Sequence, residues 1–143
     1  MEVKKDMSTG CPFCNIASNK TPASIVYEDE TVLAFMDANP ANVGHTLVVP
    51  REHWENIYKI PEKLLADIVV VVKRVSVAMK KTVDAEGISI LQLNGRAAGQ
   101  SVMHFHVHVI PRFREDSLVG HRGLERPERS ELDEIAKKIR ENL

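Results

Sequence analysis

The chain has 143 residues, of which 43% are hydrophobic and 27% charged, which is room for one domain with a proper core and an ordinary composition for a soluble globular protein. Its formal net charge is −1, with both signs spread along the chain. That argues against a protein that grips extended nucleic acid through a broad basic surface, but leaves open the binding of a single nucleotide, which needs only a few donors.

The start, Met1 to Asp6, lacks an apolar signal core, and no apolar run approaches membrane-spanning length. No membrane association and a cytoplasmic location are expected. Residues 1–10 read as a flexible N-terminus and residues 11–143 as a single domain.

Both cysteines lie in Cys11-Pro12-Phe13-Cys14. In a cytosolic chain this spacing is half a metal site or a redox pair. A thioredoxin-like pair would follow a strand and open a helix, and nothing before Cys11 reads as a strand. Half of a zinc site, completed by histidines, is the better reading, with two buried inert thiols as the alternative.

Ile16 onward reads as a short apolar turn and a loop. A hairpin follows, Ile25-Val26-Tyr27 and Thr31 to Met36, joined by the acidic turn Glu28-Asp29-Glu30. Asp37 sits where the second strand opens into a loop. His45 to Pro50 is a third strand with His45 at its mouth. Pro61 to Val83 has apolar residues at Leu64, Leu65, Ile68, Val69, Val72, Val75, Met79 and Val83, the stripe of a long helix with Pro61 in its first turn. Val70 and Val71 widen that stripe toward a second contact surface, such as a partner subunit. Ile88 to Asn94 is a fourth strand, and the small-residue loop Gly95 to Ser101 lets backbone amides approach an anion. After Pro111, residues 112–127 read as an exposed loop. Ser130 to Asn142 reads as a helix capped by Ser130 with Asp133 three residues on, its stripe made by Leu132, Ile135, Ala136 and Ile139. The class is α+β, with about five strands, one long helix and a C-terminal helix.

The stretch His104-Phe105-His106-Val107-His108-Val109-Ile110-Pro111 alternates imidazole with apolar residues. As a strand it would turn Met103, Phe105, Val107 and Val109 into the core and align three histidines on the other face, about 6.7 Å apart in succession. The outer two would then stand about 13 Å apart, too far to share one ion. A row of general acids and bases is a second use. Nucleophilic catalysis at phosphorus is the third: a neutral imidazole attacks while flanking donors hold the non-bridging oxygens. Only this last use employs the Gly99-Gln100-Ser101 loop as well as the histidines.

The pattern His104 to Ile110 resembles the histidine-triad (HIT) family. Gly99-Gln100-Ser101-Val102, Val32 to Asp37 and Gly44 to His53 are also similar to it, in the family's order. The resemblance implies a HIT-like fold, an antiparallel sheet with a long helix, usually homodimeric, that hydrolyses or transfers nucleotides. It implies His106 as the nucleophile at the α-phosphate, His108 and His45 as phosphate donors, and Gln100 and Ser101 on the phosphate and leaving group. Asp37 would hold the ribose hydroxyls, Phe13, Ile16 and Phe35 would wall the pocket for a base expected to be a purine, and Asn94 would lie near the ribose-phosphate. One bacterial and archaeal branch of the family carries zinc, and its ligands correspond to Cys11, Cys14, His53 and His104. Such a Cys₂His₂ site is closed and hence structural, one zinc per chain, and no organic cofactor is expected. Residues 112–143 extend beyond Hint-like phosphoramidases, while Pro111-Arg112 looks more like the Fhit-type dinucleoside polyphosphate hydrolases. A nucleotidylyl transferase, a nucleotide-binding interaction module with little turnover and a metal sensor are the competing readings. The intact triad argues against the binding module and the lack of an evident acceptor domain against the transferase. The closed ligand set argues against the sensor.

Overall fold

The apolar stretches of the sequence assemble into one five-stranded sheet in the computed structural model, which describes residues 10–116 and 126–143. The flexibility expected of residues 1–9 and the loop expected over 117–125 lie outside the described residues. In chain order the elements are α1 (Pro12–Ala17), β1 (Ile25–Glu28), β2 (Val32–Met36), β3 (Thr46–Pro50), α2 (Glu62–Val83), β4 (Gly87–Gln92), β5 (Val107–Arg112) and α3 (Arg129–Glu141). The sheet order is β1-β2-β3-β5-β4 and every neighbouring pair is antiparallel. This is the expected α+β arrangement, and the first four strands fall within a residue or two of their expected bounds.

Side-chain alternation gives the sheet two different faces. Val32, Ala34, Met36, Val48, Val107 and Val109 point one way and pack beneath α2 and α3 with Ile68, Val75, Met79, Leu132 and Ile139. Burying each valine, leucine, isoleucine or methionine of this layer contributes about 1.5–3 kcal/mol. Leu33, Phe35, Leu47 and Val49 point the other way, onto α1, where they meet Cys11, Phe13 and Cys14. The catalytic candidates belong to this second face.

Several local expectations change. Pro61 precedes α2 as its N-cap, held extended at φ −63° and ψ 144°, rather than lying in its first turn. On that helix Val71 is buried while Val69 is 55% exposed, because Val69 lies roughly a third of a turn away from the Leu64–Ile68–Val75 line. In α3 the cap is Glu128, in a reciprocal box with Glu131, not Ser130 with Asp133. Asp133 instead accepts from Ser24 Oγ at 2.6 Å, tying the helix to the entry of β1. Finally, β5 begins at Val107 and runs to Arg112, so His104, Phe105 and His106 are not in the ladder. The Phe105 N–H donates to the Trp54 carbonyl at 2.6 Å, which leaves these residues off the strand. Phe105 is nevertheless fully buried in the core, whereas Met103, expected beside it, is only half-buried and lines a shallow cleft near His53.

The short helix α1 has no counterpart in the sequence reading. Pro12 occupies its first turn and Cys11 caps it, Sγ accepting from the Cys14 N–H at 3.4 Å. The Cys-x-x-Cys pair therefore does open a helix. Among the described residues no helix is long and apolar enough to cross a membrane.

Candidate active site and metal centre

In the pairing of β3 with β5, Leu47 stands opposite His108 and Val48 opposite Val107. His108 thus shares the α1 face with Leu47 while Val107 goes to the core. The His106 and His108 rings are 4.9 Å apart, centroid to centroid, and His45, just ahead of β3, lies 5.2 Å from His108. All three are buried. Gly44 lets the chain bring His45 there: its φ is +98°, and a Cβ would meet Pro111 Cγ at 3.2 Å.

Backbone groups fix which nitrogen of each imidazole carries hydrogen. The His104 carbonyl accepts from His106 Nδ1 at 2.7 Å, which leaves Nε2 of a neutral His106 with the lone pair. Burial holds that ring below the usual imidazole range, against the opposing pull of the His104 carbonyl and Asp37. The Ala41 N–H donates to His45 Nδ1 at 2.9 Å, so His45 carries its hydrogen on Nε2. That hydrogen reaches His108 Nδ1 at 3.0 Å, which puts the His108 hydrogen on Nε2. Asp37 Oδ2 stands 3.5 Å from His45 Nε2 and its Oδ1 accepts from the Asn39 N–H at 2.8 Å. Side by side, then, stand one imidazole with a lone pair and one with a donor.

Both rings line a cavity of about 540 Å³. Phe13, Ile16, Phe35 and Leu47 form its apolar wall, Asp37, Ala38 and Asn39 one rim, and Gly99, Ser101 and Val102 the other. A cavity of this size, mostly apolar with a few placed polar groups, suits a small organic ligand. Of the residues singled out from the sequence, Phe13, Ile16, Phe35, Asp37, Ser101, His106 and His108 line it. His45 sits behind, 1% exposed, and reaches the cavity through His108. Gln100 is buried beneath its loop, Oε1 accepting from the Gly95 N–H at 2.7 Å and Nε2 donating to the Glu55 carbonyl at 2.7 Å and the Val102 carbonyl at 3.0 Å. Asn94 exchanges hydrogen bonds with Gln92 and accepts from the Ile57 N–H at 2.8 Å, outside the cavity lining. Sequence reasoning missed the Ala41 N–H and the lining residues Pro22, Ala23 and Arg129. A backbone donor leaves no residue signature, and Arg129 arrives from a helix more than a hundred positions away from Pro22 and Ala23.

A second cluster abuts the first. Cys11, Cys14, His53 and His104 place one ligand atom each within 4.8 Å of all the others. Cys11 Sγ is 3.4 Å from His104 Nδ1, and Cys14 Sγ is 3.4 Å from His53 Nδ1 and 3.6 Å from His104 Nδ1. A tetrahedral zinc with ordinary Zn–S and Zn–N bonds separates sulfur and nitrogen ligands by about 3.6 Å, so the spacing fits. His104 Nε2 donates to the Pro50 carbonyl at 2.8 Å, which fixes the ring with the Nδ1 lone pair toward the sulfurs. Burial pushes His104 down to about 4, so the ring is neutral and ready to ligate. Burial, with Cys11 beside it, pushes the Cys14 thiol up to about 12, and a divalent cation would supply the charge to hold both sulfurs as thiolates.

The HIT domain matches residues 18–115. A HIT-like protein of Methanocaldococcus jannaschii is 44% identical over 130 residues, covering 91% of this chain and 98% of that protein. A zinc-bound histidine triad family protein from Mycobacterium smegmatis superposes with a TM-score of 0.83 at 35% identity, covering 94% of each chain. An Arabidopsis thaliana adenylylsulfatase, HINT3, is 33% identical over 120 residues, covering 84% of this chain and 61% of that protein.

Proposed function

The chain belongs to the HIT domain family, and from that premise we propose that it is a nucleotide hydrolase that cleaves at an α-phosphate through a nucleotidyl–His106 intermediate. The substrate class is a nucleotide ester, phosphoramidate or dinucleoside polyphosphate. The observation that carries the reading is the His106 Nδ1 bond to the His104 carbonyl, in a ring that lines the cavity and has its lone pair on Nε2. In the first step Nε2 forms a bond to phosphorus while the bond to the leaving group breaks, the leaving group taking the electron pair and then a proton. In the second step the oxygen of a water bonds to phosphorus as the P–Nε2 bond breaks. The electron pair returns to Nε2, the water gives up a proton to solvent, and the nucleoside monophosphate is freed. His108 donates from Nε2 to a phosphate oxygen, and His45 holds His108 in that tautomer. Ser101 contacts the phosphate and leaving group, Gln100 braces the loop that presents it, and Asp37 takes the ribose hydroxyls. Phe13, Ile16 and Phe35 hold the base, a purine, and Asn94 supports the loop before Gly95. The adenylylsulfatase relative supports adenosine phosphosulfate as one substrate to try.

Cys11, Cys14, His53 and His104 would hold one structural zinc, which supplies a fixed tetrahedral cross-link and no redox chemistry; no organic cofactor takes part. The exposed apolar positions Val69, Val70 and Val77 on α2, with Ile90 and Leu91 on edge strand β4, support a homodimer. The test of the hydrolase reading is incubation with adenosine 5′-phosphoramidate, a dinucleoside triphosphate and adenosine phosphosulfate, followed by mass spectrometry of products and protein. AMP release with an AMP adduct on His106 is expected. Absence of turnover on all three would overturn it.

A further inference from the structure

Phe13 stands between the two cysteines, and its ring makes edge contacts with Phe35 at 5.4 Å, His104 at 5.7 Å and His106 at 5.1 Å between centroids. One side chain therefore touches the cavity wall, a member of the Cys₂His₂ cluster and the ring proposed as nucleophile. His104 also serves both places with different atoms: its Nδ1 faces the sulfurs, and its carbonyl accepts from His106 Nδ1. Helix α1, which carries Phe13 and Ile16 into the cavity wall, is six residues long. A helix that short has no stability of its own in water, so its placement depends on what anchors it. Its anchors are the packing of Phe13 and Cys14 on Leu33, Phe35, Leu47 and Val49, and the two sulfurs facing His53 and His104.

We propose that Cys11, Cys14 and His53 are positioning residues for the nucleotide site: through the metal they hold with His104 they fix Phe13 and the His104 carbonyl, so that metal occupancy and nucleotide affinity are coupled. The proposal rests on reading the cavity as a nucleotide site. The coupling is reciprocal, since whatever the metal adds to nucleotide affinity the nucleotide must add to metal affinity. A zinc that served stability alone would raise the melting temperature and remain indifferent to nucleotide.

The test titrates the zinc-loaded protein with a chromogenic chelator at zero and saturating AMP, alongside AMP binding to zinc-loaded and zinc-free protein by calorimetry. AMP is expected to raise zinc affinity roughly tenfold, and zinc removal to weaken AMP binding by the same factor. Circular dichroism of the zinc-free protein should retain the sheet and α2. At AMP concentrations that saturate the variant, Phe13→Leu should show an AMP effect on zinc affinity that falls toward unity, and an undiminished effect would overturn the role of Phe13 in the coupling. Equal zinc affinity with and without AMP, in protein that binds AMP, overturns the coupling and leaves the hydrolase reading standing. Failure of the zinc-loaded protein to bind AMP overturns both. A zinc-free protein that is wholly unfolded also overturns it, because the linkage would then be folding itself.

Discussion

His45 Nε2 lies 3.0 Å from His108 Nδ1, and the Ala41 N–H on the far side of His45 decides which of the two donates. The imidazole proposed to touch phosphate is thereby oriented by one that does not line the cavity. Replacing His45 by Ala should lower turnover by about 10²–10³-fold, the scale of one lost oxyanion donor. Because His45 acts through His108, the double variant His45→Ala/His108→Ala should be little slower than His108→Ala alone. Full additivity of the two losses in steady-state kinetics would show instead that His45 contacts the substrate directly.

The sheet was legible because strand periodicity is local: apolar and polar positions between Ile25 and Pro50 alternate or run together as a buried sheet requires. The alternation from His104 to Val109 correctly separated Phe105, Val107 and Val109 from the histidines, yet only the part from Val107 is strand. The Phe105 N–H finds its acceptor on Trp54, a long-range bond that no pattern within the stretch encodes. The roles of Gln100 and Asn94 were obscured for a similar reason. A polar side chain beside an active-site loop can face ligand or satisfy buried backbone groups, and the choice depends on Gly95, Glu55 and Ile57 lying within reach. The four-residue metal cluster was legible only through family resemblance, since Cys14 and His53 are brought together across 39 positions.

The acidic turn between β1 and β2 gives a pH dependence of stability. Asp29 Oδ1 accepts from the Thr31 and Val32 N–H groups, each at 2.8 Å, and Oδ2 from Tyr27 Oη at 2.6 Å. Partial burial pushes the carboxyl up, but these hydrogen bonds outweigh it and hold the group below the usual carboxylate range. A depressed folded value contributes stability above the unfolded pKa near 3.9, and that contribution disappears as pH falls through the folded value. Asp29→Ala should lower the melting temperature at pH 7 by about 2–5 °C, with the gap to wild type closing below about pH 4. A gap that stays constant from pH 7 to pH 3 would refute the assignment.

For the metal centre, purified protein should contain about one zinc per chain, and Cys14→Ala should lose it with a fall of roughly 5 °C or more in melting temperature. Elemental analysis and thermal melts check both. Protein expressed in zinc-replete medium that carries no zinc would remove the centre from the account.

The exposed face of α2 bears on assembly. Val69, Val70 and Val77 are 55%, 49% and 48% exposed, too many apolar neighbours for an ordinary solvated helix face. Light scattering at micromolar concentration should give a dimer mass. Val70→Asp with Val77→Asp should shift it toward the monomer without changing the far-ultraviolet circular dichroism. A wild-type mass of about 16 kDa would dispose of the dimer.

The nucleophile separates most sharply from its neighbours when binding and turnover are measured together. His106 is oriented by the His104 carbonyl and packed against Phe13, so its removal deletes the nitrogen proposed to attack while leaving Asp37, Phe35, Ser101 and His108 around the cavity. His106→Ala should therefore keep AMP affinity within about an order of magnitude, yet lose turnover far beyond the 10²–10³-fold of a missing donor, because the covalent route no longer exists. Stereochemistry provides an independent reading. Two in-line displacements, one by His106 and one by water, give net retention at phosphorus, which a chiral phosphorothioate substrate reports. Net inversion, or an alanine variant retaining more than a tenth of wild-type turnover, would mean that water attacks directly and that His106 has some other task.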